Sequence, residues 1–112
     1  MVVDHFNPST AQAITPIAKA AGFGVSRDFV GHGVGWMFHS HPEIIHTPNR
    51  YPGVMKPHQT FTIEPILVQG STSHQAWDDG WTVATRDKKW TAQFEHTLVV
   101  TDDGADVLTL AD

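Results

Sequence analysis

Apolar and polar positions change period several times along this chain, and each change marks an element. Ala11, Ile14, Ala18 and Ala21 recur at helical spacing and predict a helix from about Ser9. Residues 1–8 read as an irregular leader, with Asn7-Pro8 or Ser9 and Thr10 placed to cap the helix. Gly22 is placed to stop it, and Pro16 interrupts it by removing one backbone N–H. Phe23 to Val30 reads as a strand. Gly31 to Gly35 is too glycine-rich for a regular element and suggests a backbone passing close to something else. His39 to Pro57, with its prolines and Gly53, reads as a long connection. Thr60 to Val68 reads as a strand and Gly70 to Ser73 as a turn. Trp81 to Thr85 and Thr91 to Thr101 read as strands joined through Arg86-Asp87-Lys88-Lys89. Asp102-Asp103-Gly104 is a strong hairpin signal leading into Val107 to Leu110. The predicted class is α+β, one N-terminal helix packed on a mostly antiparallel sheet.

Strand alternation puts two carboxylates in unusual company. In the strand from Thr60, one face carries Phe61, Ile63, Pro65 and Leu67, and the other carries Thr62, Glu64, Ile66 and Val68. Both faces are largely apolar, so Glu64 is walled in. An unpaired buried carboxylate costs on the order of several kcal/mol, and it needs a cation or a proton. In the strand from Thr91, Glu95 shares a mixed face with Gln93, Thr97 and Val99, behind which lies the apolar face of Phe94, His96 and Leu98. The plain alternative is a pair of ordinary strand glutamates at a sheet edge.

The histidines sort by their neighbours. His32 is flanked by glycine on both sides, so its ring can reach a metal or ligand. His39 follows seven residues later, beside Phe38. His5, His41, His58 and His74 read as polar surface residues. His46 ends the apolar Ile44-Ile45 pair and is ambiguous. His96 points away from Glu95 and reads as a core or supporting residue. One imidazole and two carboxylates suit Zn, Mn, Fe or Co, and this donor set does not choose among them.

Composition narrows the classes. A chain of 112 residues allows one domain with a modest core. Net charge is −5, and only Lys88-Lys89 are adjacent basic residues, which argues against a nucleic-acid footprint. There are no cysteines, so disulfides and thiolate metal sites are excluded. No apolar run approaches a membrane span, and the N-terminus lacks the pattern of a signal peptide. Of three glutamates in the whole chain, two are Glu64 and Glu95.

Taken together the motifs resemble the C-terminal part of type 1 methionine aminopeptidases, the pita-bread metallopeptidases. Arg27-Asp28-Phe29-Val30-Gly31-His32-Gly33-Val34-Gly35, followed by Phe38-His39, is similar to that family's signature around a metal-binding histidine. Gly53-Val54-Met55-Lys56 leading into Phe61-Thr62-Ile63-Glu64-Pro65 follows, then Asp79-Gly80-Trp81-Thr82, then Ala92-Gln93-Phe94-Glu95-His96-Thr97. The resemblance implies that residues 9–112 form the C-terminal half of a pita-bread catalytic domain. It implies that His32 and Glu64 bind one divalent metal ion and that Glu95 bridges two. It also gives Glu64 a proton-shuttling role, His39 a hydrogen bond near the scissile amide, and Phe38 and Trp81 places along the methionine side-chain pocket. The implied substrate is the N-terminal methionine of nascent proteins or peptides. Core packing is the plain alternative for both aromatics.

Three departures accompany the resemblance, one of them Pro16 inside the expected helix. Thr47 follows His46 where the family often has an aromatic residue. The family's two metal-binding aspartates and a further histidine belong to an N-terminal half, and Asp4-His5-Phe6-Asn7 does not resemble that region. A shortened form, inactive alone and cytoplasmic or organellar, is therefore expected. The competing reading is a non-catalytic pita-bread module that binds protein partners. A proline-specific peptidase of the same fold fits the compact stretch between His32 and Glu64 less well, and a cupin-like barrel does not explain the initial helix.

Overall fold

The computed structural model describes residues 6–111, so Asp4, His5 and most of the expected leader lie outside the described residues. Helix α1 (Phe6–Ala20) begins earlier than the capping pattern suggested, which puts Pro8 inside its first turn. Proline is tolerated there because the first N–H groups have no intrahelical acceptor. Pro16 lies within the helix and faces outward. Thr10, Ala11 and Ala18 are buried and Ile14 is half-buried, so mainly small side chains form the packed stripe. Gly22 ends the helix as expected, at φ 81°. Its N–H donates to the Lys19 carbonyl at 3.0 Å, and the Phe23 N–H to the Ala18 carbonyl at 2.9 Å. This is the double bond pattern of a Schellman stop.

The strands that follow are β1 (Gly24–Val25), β2 (Gly31–Gly33), β3 (Ser40–Ile44), β4 (Thr60–Ile63), β5 (Ile66–Val68), β6 (His74–Ala76), β7 (Val83–Thr85), β8 (Thr91–Gln93), β9 (His96–Val100) and β10 (Ala105–Val107). They form a five-stranded sheet in the order β10-β9-β4-β2-β3, a three-stranded sheet β1-β5-β8 and the hairpin β6-β7. Every recorded pairing is antiparallel. The α+β class is as the sequence predicts.

Several element boundaries differ from expectation. The strand foreseen over Phe23–Val30 shrinks to β1. The glycine-rich run expected to be irregular contains β2, and the expected long connection contains β3, despite Pro42. The reason is close packing. A Cβ added at Gly31 would collide with the carbonyl of Thr62, and one at Gly33 with the carbonyl of His41. Glycine lets β2 lie between its neighbours where no side chain fits. The two long strands each break in the middle, at Glu64-Pro65 and at Phe94-Glu95. Proline ends β4 because it has no N–H to give a ladder. The Asp102–Gly104 turn forms as expected, with the Thr101 N–H on the Gly104 carbonyl at 2.9 Å.

Ile44, Phe61 and Val100 form the sheet's buried cluster, with Met55, Ile63 and Leu98 packed against it. Strand β4 lies between β2 and β9 and is buried on both faces, Phe61 on one and Thr62 on the other. Helix α1 packs near β1 and β3. No helix among the described residues is long and apolar enough to cross a membrane.

Candidate metal centre

The two broken strands place the carboxylates. Ile63 pairs with His96 in one sheet, and Ile66 pairs with Gln93 in the next. These pairs belong to one unbroken antiparallel register, so Glu64 falls opposite Glu95 across the joint. Opposite residues of an antiparallel pair share a face. Strand β2 lies on the other side of β4 and brings in His32. One ligand atom from each of His32, Glu64 and Glu95 lies within 4.8 Å of the other two. His32 and Glu64 are half-buried, whereas Glu95 is exposed and sits at the joint rather than in mid-strand.

Hydrogen bonding fixes the state of His32. Its Nδ1 lies 3.1 Å from the Gly33 carbonyl, and its Nε2 lies 3.3 Å from Glu64 Oε1. A carbonyl only accepts, so Nδ1 carries a proton. Nε2 then turns its lone pair toward a carboxylate oxygen, an arrangement that a proton or a cation must bridge. A metal-binding histidine characteristically gives its other N–H to a carbonyl or carboxylate, so the donor set fits a metal ion.

Glu64 is held from several sides. Its Oε1 accepts from the Thr62 hydroxyl at 3.0 Å, and its Oε2 accepts from the Gln93 amide at 3.2 Å. Burial pushes its carboxyl pKa up; the Thr62 hydroxyl pulls against this, Glu95 adds to it, and His32 and His39 oppose it. The backbone N–H of Glu64 donates to His46 Nε2 at 3.2 Å. His46 is 1% exposed, and burial lowers its pKa from 6.5 to about 4, with the Phe29 backbone opposing. It is therefore neutral at pH 7, and its Nδ1 is enclosed without a hydrogen bond of standard geometry. Sequence reasoning left His46 ambiguous. The signal was its place directly after the apolar Ile44-Ile45 pair.

The remaining expected residues divide. His39 stacks edge-on against His32, with ring centroids 4.4 Å apart, and Phe38 meets His39 at 4.3 Å and His32 at 5.9 Å. His32 and His39, with Val30, Met37, Ser40 and Glu43, border a cleft of about 550 Å³. Trp81 is elsewhere. It is 89% exposed and lines a cavity of about 600 Å³ among β5, β7 and β8 whose walls contain none of His32, His39, Glu64 or Glu95. Asp79 shapes its turn, accepting the N–H groups of Trp81 and Thr82 at 3.0 and 2.8 Å.

His96 is exposed, with Nδ1 2.9 Å from Thr109 Oγ1, so of the two places expected for it, core or supporting, the core is excluded. The break at Phe94-Glu95 splits the apolar face on which that expectation rested, leaving Phe94 exposed as well. His74 is half-buried and pairs with Asp28 at 3.2 Å, so it is more than a plain surface residue. His41 and His58 are exposed as expected.

Comparison with known proteins shows the family of the chain. A model of metallopeptidase family M24 matches residues 9–102. Over 99 residues the chain is 48% identical to methionine aminopeptidase 2 of Mycobacterium tuberculosis, covering 88% of this chain and 35% of that protein. It is 50% identical over 98 residues to methionine aminopeptidase 1D, chloroplastic/mitochondrial, of Arabidopsis thaliana, covering 88% of this chain and 28% of that one. The crystal structure of methionine aminopeptidase from Rickettsia prowazekii superposes with a TM-score of 0.88 at 38% identity, over 97% of this chain and 45% of the other. The chain thus spans about a third of the length of the curated relatives it matches.

Proposed function

The chain belongs to metallopeptidase family M24, and we propose that it carries one wall of a divalent-metal site that removes N-terminal methionine from nascent proteins and peptides. The observation that carries this reading is the convergence of His32, Glu64 and Glu95 at a joint between two sheets. His32 and Glu64 would hold one ion, and Glu95 would be shared between two. Bound divalent metal supplies an acidified water and a polarised carbonyl. Glu64 would pass a proton at that point, the role the resemblance implies for it. His39 lies against His32 and would hydrogen-bond the substrate near the scissile amide. Phe38 would form one side of the methionine pocket; the resemblance also gives Trp81 a place there, although Trp81 lines the separate cavity among β5, β7 and β8.

Three ligands make a weak site for two ions. We propose that a further segment, in the same or a separate polypeptide, supplies the remaining ligands, and that these residues alone do not turn over substrate. The setting is cytoplasmic, or organellar with a targeting segment. The test uses a Met-Ala-type peptide with Mn²⁺, Co²⁺ or Fe²⁺. The expected result is no turnover by the chain alone, and turnover once an N-terminal portion of a methionine aminopeptidase is added. That activity should vanish in His32→Ala. Turnover by the chain alone, lost in His32→Ala, would overturn the need for a second segment. No turnover in either condition would overturn the peptidase reading.

The exposure of Trp36, Met37, Phe38, Trp90 and Phe94 favours a second reading, a protein-binding module without catalysis. Tight, metal-independent binding of a protein partner that survives replacement of His32, Glu64 and Glu95 together would support it.

A further inference from the structure

Glu64 belongs to neither β4 nor β5, so no strand ladder holds its backbone, yet its carboxylate has to keep a fixed distance from His32. Two buried polar side chains meet that need. Thr62 is 2% exposed, in the middle of the five-stranded sheet. Its hydroxyl has one hydrogen, which goes to Glu64 Oε1 at 3.0 Å. Its lone pair accepts the backbone N–H of His32, also at 3.0 Å. That contact lies beside the register shift between His32 and Gly33, where regular pairing of β2 with β3 is lost. A single oxygen thus ties the backbone of one candidate ligand to the side chain of another. His46 takes the Glu64 N–H that the broken strand leaves over.

We propose that Thr62 and His46 are positioning residues that set the spacing of His32 and Glu64 and so prepare the site for its metal. The proposal rests on the reading of His32, Glu64 and Glu95 as metal ligands. Thr62 acts on both ligands. His46 acts on Glu64 alone, from the back, and its own carbonyl is reached by the Thr15 hydroxyl of α1 at 3.5 Å. Neither side chain lines the cleft bordered by His32 and His39.

The chemistry separates the variants. Thr62→Val keeps the shape but removes both hydrogen bonds, whereas Thr62→Ser keeps both. His46→Leu removes the acceptor, and His46→Gln retains one. Co²⁺ titration, followed by visible absorption and calorimetry, gives affinity. Amide hydrogen exchange of His32 and Glu64 in the metal-free chain gives a reading that needs no metal. Thr62→Val and His46→Leu are expected to weaken Co²⁺ binding by about tenfold or more, with Thr62→Ser and His46→Gln within about threefold of the unchanged chain. Exchange at the His32 amide should quicken in Thr62→Val, and at the Glu64 amide in His46→Leu. Should His46→Leu fail to fold, the Thr62 pair decides. Equal affinity in Thr62→Val and the unchanged chain would overturn the proposal and leave the metal site standing. Absence of any Co²⁺ absorption that depends on His32 would instead remove the metal reading. The exchange rates would then decide alone, and no acceleration in either variant would overturn the positioning roles.

Discussion

Glu64 stands opposite Glu95 across an antiparallel joint whose register is the same in the sheets on either side. Like charges directly opposite one another are destabilising by up to about 1 kcal/mol. A metal ion reverses the sign of that interaction. Glu95→Gln should therefore leave the metal-free chain as stable or slightly more stable in a urea melt. If Glu95 is a ligand as proposed, the same variant should bind Mn²⁺ or Co²⁺ at least about tenfold more weakly, because a charged donor is gone.

Proton release should accompany metal binding, and Glu64 sets its direction. Burial raises the Glu64 carboxyl above its ordinary value of 4.5, despite the Thr62 hydroxyl. The folded chain then keeps this proton to a higher pH than the unfolded chain does. The stability so gained is full below the unfolded pKa and is lost as pH rises through the folded one. Metal binding needs the carboxylate. Calorimetry in two buffers of different ionisation heat should show proton release that fades as pH rises through the raised Glu64 pKa. Glu64→Gln should abolish it.

His46 gives the opposite slope. Burial lowers its pKa from 6.5 to about 4, so between those values the unfolded state binds a proton that the folded state refuses. Stability is full above the unfolded pKa and falls as pH drops toward the folded one, by roughly 3 kcal/mol in all. Urea midpoints of the metal-free chain should fall over this range. His46→Gln, which has no titrating ring, should show a shallower fall.

Two glycines in the same motif should respond differently to alanine. A Cβ at Gly31 meets the Thr62 backbone, and at Gly35 it meets nothing within 4 Å. Gly31→Ala should lower stability by about 1–3 kcal/mol, as overpacking does. Gly35→Ala should change it by less than about 1 kcal/mol, and toward greater stability. Thermal melts of the two variants check this.

The parts legible in the sequence were those set by local chemistry. Gly22 stops α1 through its own φ and two backbone bonds, and Asp102-Asp103-Gly104 turns the chain with its own residues. The grouping of His32, Glu64 and Glu95 was legible because motifs of a known family carry it. What was missed depends on partners distant in sequence. Strand β2 looked irregular because its glycines answer to the backbones of Thr62 and His41. Strand β3 was hidden by Pro42. Alternation correctly put Thr62 and Glu64 on one side, as their hydrogen bond shows. It could not show that both strands stop at the glutamates, because a change of sheet leaves the period intact. His46 was undecided because its partner, the Glu64 N–H, exists only where β4 has ended.

Those two crossings also set a tolerance for changes in chain length. From Ile63 to Ile66 and from Gln93 to His96, each path contains two residues between paired positions, and both paths run side by side. One residue added to or deleted from either path would force a slip in one sheet or turn its carboxylate to the far side. The connection between β3 and β4, by contrast, can vary in length beyond His46 without moving a carboxylate. Insertions and deletions that preserve the site should therefore collect in that outer connection and be absent from the two crossings.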